Sequence, residues 1–236
     1  MSKFIVTVTG ADDNVMPDDL IKLSKKYEFV EWGILFSATQ SGTKRYPTKE
    51  WRNALYAATL ESAIPINLSA HLCGQFVDQR LYSRDYLTTE VEIFYRRVQF
   101  NKFNEDNSKY VLDYAENNST PTIFPCNKKT REIIEKIEDK SRLSVLFDSS
   151  GGNGIAPKEW PDHMKGTFLC GYAGGIDETN VADTITRLGV RYLDKPFWID
   201  LETGARDENN EFDVNKVERI LEKASAYYGE NRIQLI

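Results

Sequence analysis

Short apolar runs alternate with amphipathic stretches from one end of this chain to the other. The runs are rich in β-branched and aromatic residues and too short for buried helices, so they read as strands. They fall at Phe4–Thr9, Phe29–Phe36, Ile66–Leu72, Arg97–Asn101, Pro121–Pro125, Leu143–Phe147, Thr167–Tyr172 and Phe197–Leu201. Between them, a helical period predicts helices over Pro17–Tyr27, Thr48–Ser62, Glu105–Asn117, Lys128–Lys140, Asp177–Leu188 and Val214–Tyr228. Gly74 to Tyr95 reads as helical in places, and a loop with a short helix leads to His163. Strands alternating with helices imply a parallel sheet, and eight such units in 236 residues imply that the sheet closes. The expected fold is α/β, a single (β/α)8 TIM barrel over residues 1–236. No linker, low-complexity segment or repeat divides it.

Period-2 parity then assigns faces. Val6 and Val8 share one face of the first strand, so Thr7 and Thr9 point the other way. In the sixth strand Val145 and Phe147 pack on helices while Ser144, Leu146 and Asp148 look inward. Thr9 and Asp148 are thereby placed at the carboxyl mouth of the barrel, where chemistry on this architecture resides. His71 and Cys73 share a side at the end of the third strand. Three glycine-bearing turns follow strands, at Asp148–Gly154, Ala173–Asp177 and Asp200–Ala205. Glycine lets a ligand approach the backbone, and a helix start beyond it suits an anion such as phosphate. Asp177 reads as the N-cap of the helix after the paired glycines.

Composition narrows the partners. A formal charge of −6 argues against nucleic acid or an anionic membrane, since either requires a basic face. A small anion in a local pocket is compatible with it. The start of the chain shows no leader pattern and no run reaches membrane-spanning length, so a cytoplasmic protein is expected. Three widely spaced cysteines suit reduced thiols, and two histidines give no basis for a Cys/His zinc cluster. No metal or cofactor is called for, and either a monomer or a homodimer is compatible with the sequence.

With these motifs in order, the chain resembles phosphoribosylanthranilate isomerase, the tryptophan-pathway barrel. The resemblance runs from the first strand to the eighth and is carried by short motifs. They are Val6-Thr-Val-Thr-Gly10, Gly33-Ile-Leu-Phe36 with Thr43-Lys-Arg-Tyr46, Leu146-Phe-Asp148 with Gly151-Gly-Asn-Gly154, Ala173-Gly-Gly-Ile-Asp-Glu-Thr-Asn-Val181, and Ile199-Asp-Leu-Glu-Thr-Gly204. The resemblance implies an Amadori-type aldose–ketose isomerisation of a small phosphorylated substrate. It implies that Gly174, Gly175, Thr203 and Gly204 hold the phosphate through backbone N–H groups, that Gly151 and Gly152 also bind substrate, that Arg45 meets a planar carboxylate, and that Asp148 is the general acid.

Three positions depart from the family pattern. Thr9 stands where the family has its cysteine base, and a hydroxyl lacks the acidity for that role. Gln99-Phe-Asn-Lys102 replaces Gln-Leu-His-Gly, and Glu202 replaces a serine of the phosphate loop. A carboxylate beside a phosphate is unfavourable unless it turns away or pairs, for instance with Arg206. Thr9 is then expected to line the pocket, with His71 or Cys73 as replacement base. Asp12 and Asp13 are further candidates, and Asp200 is expected to support the eighth turn. The alternatives are a phosphate-ligand binding protein without catalysis, and another phosphosugar lyase or epimerase relying on His71.

Overall fold

The computed structural model describes residues 4–82, 90–91, 93–101, 103, 106–107, 109–110, 113–114, 120–148, 155–191 and 195–228. Eight parallel strands close into a barrel in sequential order, β1 pairing with β2 and so on until β8 pairs back on β1. They are β1 (Phe4–Thr9), β2 (Val30–Phe36), β3 (Leu68–Leu72), β4 (Arg97–Phe100), β5 (Thr122–Pro125), β6 (Leu143–Asp148), β7 (Leu169–Ala173) and β8 (Phe197–Leu201). The described helices are α1 (Pro17–Lys26), α2 (Lys49–Glu61), α3 (Gln75–Tyr82), α4 (Lys128–Glu135), α5 (Val181–Arg191) and α6 (Val214–Tyr228).

The helix ends follow local chemistry. In α1, Pro17 occupies the first turn with Asp18 and Asp19, and Lys25 and Lys26 close the last, matching the helix dipole. Thr48 caps α2 by accepting from the Trp51 N–H at 3.2 Å. Asn127 and Thr130 form a reciprocal capping box on α4. Two helices differ from expectation. Helix α4 ends at Glu135 and not Lys140, and α5 begins at Val181 and not Asp177. The Asp177 carboxylate instead accepts from the Thr179 N–H at 2.7 Å and hydroxyl at 2.6 Å, closing a turn ahead of the helix. The short helix expected before His163 is absent among the described residues, and most of Glu105–Asn117 lies outside them.

Inward and outward faces separate as the alternation requires. Val6, Val8, Val145 and Phe147 belong to the large apolar layer between sheet and helices, whereas Ile5, Ile123, Leu146, Leu169 and Trp198 cluster inside the ring. Full burial of such side chains contributes about 1.5–3 kcal/mol each. Below the mouth the interior turns ionic. Arg97 donates to both oxygens of Glu31, at 2.5 and 2.9 Å, and Thr7 adds a hydrogen bond to Glu31 at 2.9 Å. The Arg97 guanidinium lies 4.4 Å from the centre of the Trp198 ring. This buried ionic cluster fills the barrel interior among β1, β2, β4 and β8.

Candidate functional site

A cavity of about 820 Å³ opens at the carboxyl ends of the strands. Two of its walls are the turns after β7 and β8. Gly174 and Gly175 have φ of 113° and 61°, a left-handed backbone that suits glycine. Gly204 stands against the preceding turn so closely that a Cβ there would lie 2.0 Å from the Ile176 carbonyl oxygen. The two turns therefore meet, and Gly174, Gly175, Thr203 and Gly204 all line the same cavity. Gly151 and Gly152 lie outside the described residues.

Strand ends supply the rest of the lining. Thr9, His71, Gln99, Asp148 and Asp200 reach it from β1, β3, β4, β6 and β8, with Cys73 just beyond β3. Thr9 donates to the Asp200 carboxyl at 3.0 Å. Burial pushes the Asp200 carboxyl up to about 8; Glu202 and Glu31 add to the rise, and the Thr9 hydrogen bond and Arg97 oppose it. Asp200 is therefore mostly protonated at neutral pH and close to its own midpoint. Asp148 faces the cavity from two strands away, both residues in register with Ala173 of β7. Two strand spacings separate them by about 9–10 Å along the sheet, enough for a sugar carbon chain to lie between.

The expected replacement bases occupy different environments. His71 is 1 % exposed, and burial, reinforced by the Arg97 charge, lowers its pKa to about 3. It is thus a neutral imidazole at physiological pH and a weak base, which corrects the reading of a histidine poised near neutrality. Burial also pushes the Cys73 thiol up, with Asn101 opposing through a hydrogen bond to its sulfur at 3.1 Å. That thiol is not predisposed to ionise.

Arg45 takes a different place from the one expected. It is absent from the cavity lining, donating instead to Glu202 at 2.5 Å and to Asn210 at 2.9 Å. The compensation for Glu202 thus comes from Arg45 and not Arg206. Arg206 is buried against Asp12 at 3.1 Å and donates to the Gly10 and Asn210 carbonyls. Asp12 also accepts from the Arg45 N–H at 2.7 Å, and Asp13 from the Thr48 N–H at 2.9 Å. These two aspartates fasten the β1 and β2 loops together. Beside Glu202, paired with Arg45, and Arg206, paired with Asp12, the described lining carries the carboxyls of Asp177, Asp207 and Glu208 and the ammonium of Lys216.

Asp200 was expected only as support for the eighth turn and Gln99 only as part of a departing motif, yet both line the cavity, as does Lys216, which the sequence did not single out. For Asp200 a signal existed, because Trp198, Asp200 and Glu202 share parity, and an inward tryptophan forces an inward aspartate. Among the described residues, no three of His, Cys, Asp or Glu are grouped so as to hold a metal ion. No described helix is long and apolar enough to cross a membrane.

No family model and no curated protein sequence matches the chain. Solved structures do. Phosphoribosylanthranilate isomerase from Thermus thermophilus superposes with a TM-score of 0.62 at 14% identity, covering 94% of this chain and 99% of its own. TrpF from Jonesia denitrificans gives 0.60 at 16% identity, covering 94% and 97%. A phosphoribosylanthranilate isomerase in complex with reduced 1-(o-carboxyphenylamino)-1-deoxyribulose 5-phosphate gives 0.59 at 16%, covering 94% and 99%. The likeness extends along nearly the whole length of both partners, and the chain has the (β/α)8 fold found in the phosphoribosylanthranilate isomerases.

Proposed function

We propose that this barrel is an isomerase that moves a proton within a small phosphorylated sugar derivative bound at the carboxyl mouth. The observation that carries the reading is Asp200, a buried carboxyl held protonated near neutrality and facing the same cavity as Asp148. Paired carboxyls in unlike environments divide acid and base work between them. Asp200 protonates the ring oxygen of the closed sugar as the bond from that oxygen to C1 breaks. Asp148 takes the proton from C2, forming an enol. Asp148 then delivers a proton to C1 while the C2 hydroxyl gives its proton to Asp200 as the C2 carbonyl forms, which yields the ketose and restores both carboxyls to their starting states. This exchanges the acid role that the family resemblance gives Asp148. It also leaves His71 and Cys73 without a charged role, in keeping with their burial. The meeting turns after β7 and β8 support placing the phosphate there, where barrel enzymes frequently hold one.

The test is incubation of the purified protein with phosphoribosylanthranilate, and separately with ribose 5-phosphate, in D2O. Ketose formation and deuterium uptake are followed by NMR. Turnover that is lost in Asp200→Asn and Asp148→Asn and retained in Thr9→Ala supports the reading. No turnover and no exchange with any phosphoribosyl amine or pentose phosphate sinks it.

The carboxylates Asp177, Asp207 and Glu208 favour a second reading, because a negative rim disfavours a phosphate dianion. On that reading the ligand is an uncharged or amine-bearing sugar. Failure of millimolar inorganic phosphate to raise the melting temperature would select it over the first.

A further inference from the structure

Buried polar atoms in folded proteins are almost always paired, and each exception points to something that completes it. His71 Nε2, Gln99 Oε1 and one oxygen of Asp200 are buried with no hydrogen-bond partner among the described residues. All three side chains line the one cavity. They are also neighbours. His71 is in register with Gln99, and Asp200 is joined to Thr9. A Cβ built on Gly33 would lie 2.3 Å from Thr9 Oγ1 and 3.0 Å from His71 Nε2, so these groups converge over an interior position that has no side chain.

We infer that the floor of the cavity is a hydroxyl-binding subsite, built by His71, Gln99 and Asp200 to take the polyol portion of an open-chain sugar. The chemistry of the three atoms selects the ligand. A neutral imidazole nitrogen donates or accepts according to its tautomer, an amide oxygen accepts, and a protonated carboxyl donates. Such a set has no net charge, so it gains nothing from a phosphate or carboxylate. Vicinal hydroxyls, which donate and accept alternately, satisfy all three at once. The Gln99 amide is fixed by its nitrogen, which donates to Asn101 at 2.7 Å and leaves the buried oxygen without a partner among the described residues. The inference deepens the proposed function by naming which end of the sugar lies deepest, yet it requires no reaction.

The experiment titrates the whole protein by calorimetry with ribitol, an uncharged five-carbon polyol, and separately with inorganic phosphate. Wild type, Gln99→Leu and His71→Leu are compared. Each lost hydrogen bond should weaken ribitol binding about tenfold, with phosphate affinity within about twofold of wild type because the β7–β8 turns are untouched. A crystal structure of the wild type with ribitol should place hydroxyls within hydrogen-bond distance of His71 Nε2 and Gln99 Oε1, a reading independent of how the variants fold. Ribitol that fails to bind the wild type, or binds both variants unchanged, overturns the subsite. Phosphate binding without ribitol binding removes the subsite and leaves the proposed function standing. Ribitol binding without phosphate binding keeps the subsite and removes the phosphate rim.

Discussion

Thr9→Val isolates one hydrogen bond in the electrostatics of the mouth. The Thr9 hydroxyl donates to Asp200 at 3.0 Å, and this contact opposes the effect of burial on the carboxyl. Valine preserves the shape and removes the donor. A hydrogen bond to a charged group is worth about 1.5–3 kcal/mol and one to a neutral group about 0.5–1.5, so the ionised form loses roughly 1–1.5 kcal/mol more than the protonated form. At 1.36 kcal/mol per pKa unit this raises Asp200 by about one unit, from about 8 toward 9. The drier surroundings of valine act in the same direction. Carbon-detected NMR titration of the Asp200 side-chain carboxyl measures it, with Asp200→Asn identifying the resonance. A midpoint that stays put or falls refutes the argument, because it would mean that the Thr9 hydroxyl does not favour the carboxylate.

Other changes probe the same structure. Asp200→Asn should become more stable relative to wild type as pH rises. The folded-state value near 8 lies above the ordinary 3.8, so the contribution of Asp200 is complete below about pH 4 and is lost as pH climbs through 8. Calorimetric melting at intervals across that range would show it, and a flat difference would count against a buried acid. His71 has the opposite dependence. Its folded value near 3 lies below 6.5, so its contribution is complete above 6.5 and lost as pH falls through 3. His71→Gln should therefore resist acid better than wild type over that interval in the same melts. Gly204→Ala should force the β7 and β8 turns apart, since the new methyl group would meet the Ile176 carbonyl oxygen. A cost of about 1–3 kcal/mol in denaturant titration and loss of ligand-induced stabilisation are expected. Glu31→Gln should cost about 3–5 kcal/mol by leaving the buried Arg97 charge uncompensated, measurable by urea unfolding.

Much of this protein was legible in its sequence, for a reason specific to the fold. Consecutive strands of a parallel barrel lie side by side, so the order of apolar runs is already the order of the sheet, and parity alone places Ile5, Leu146 and Val145 on their proper faces. The helix boundaries were less secure wherever a side chain had a choice of backbone partner. Asp177 can cap a helix or close a turn, and only its surroundings decide between them. Thr9, His71, Cys73, Asp148 and the two glycine turns were foreseeable as residents of the mouth because each ends a strand.

Sequence by itself settled the barrel and placed Thr9, His71 and Asp148 at its open end, since both follow from period and order, which are local properties. Tertiary structure alone decided the charge states there. Whether Asp200 holds a proton, whether His71 is a base, and whether Arg45 serves a ligand or Glu202 depend on burial and on groups brought together from distant parts of the chain. Desolvation and Coulomb attraction act through space, and a linear pattern carries no record of which charges will become neighbours.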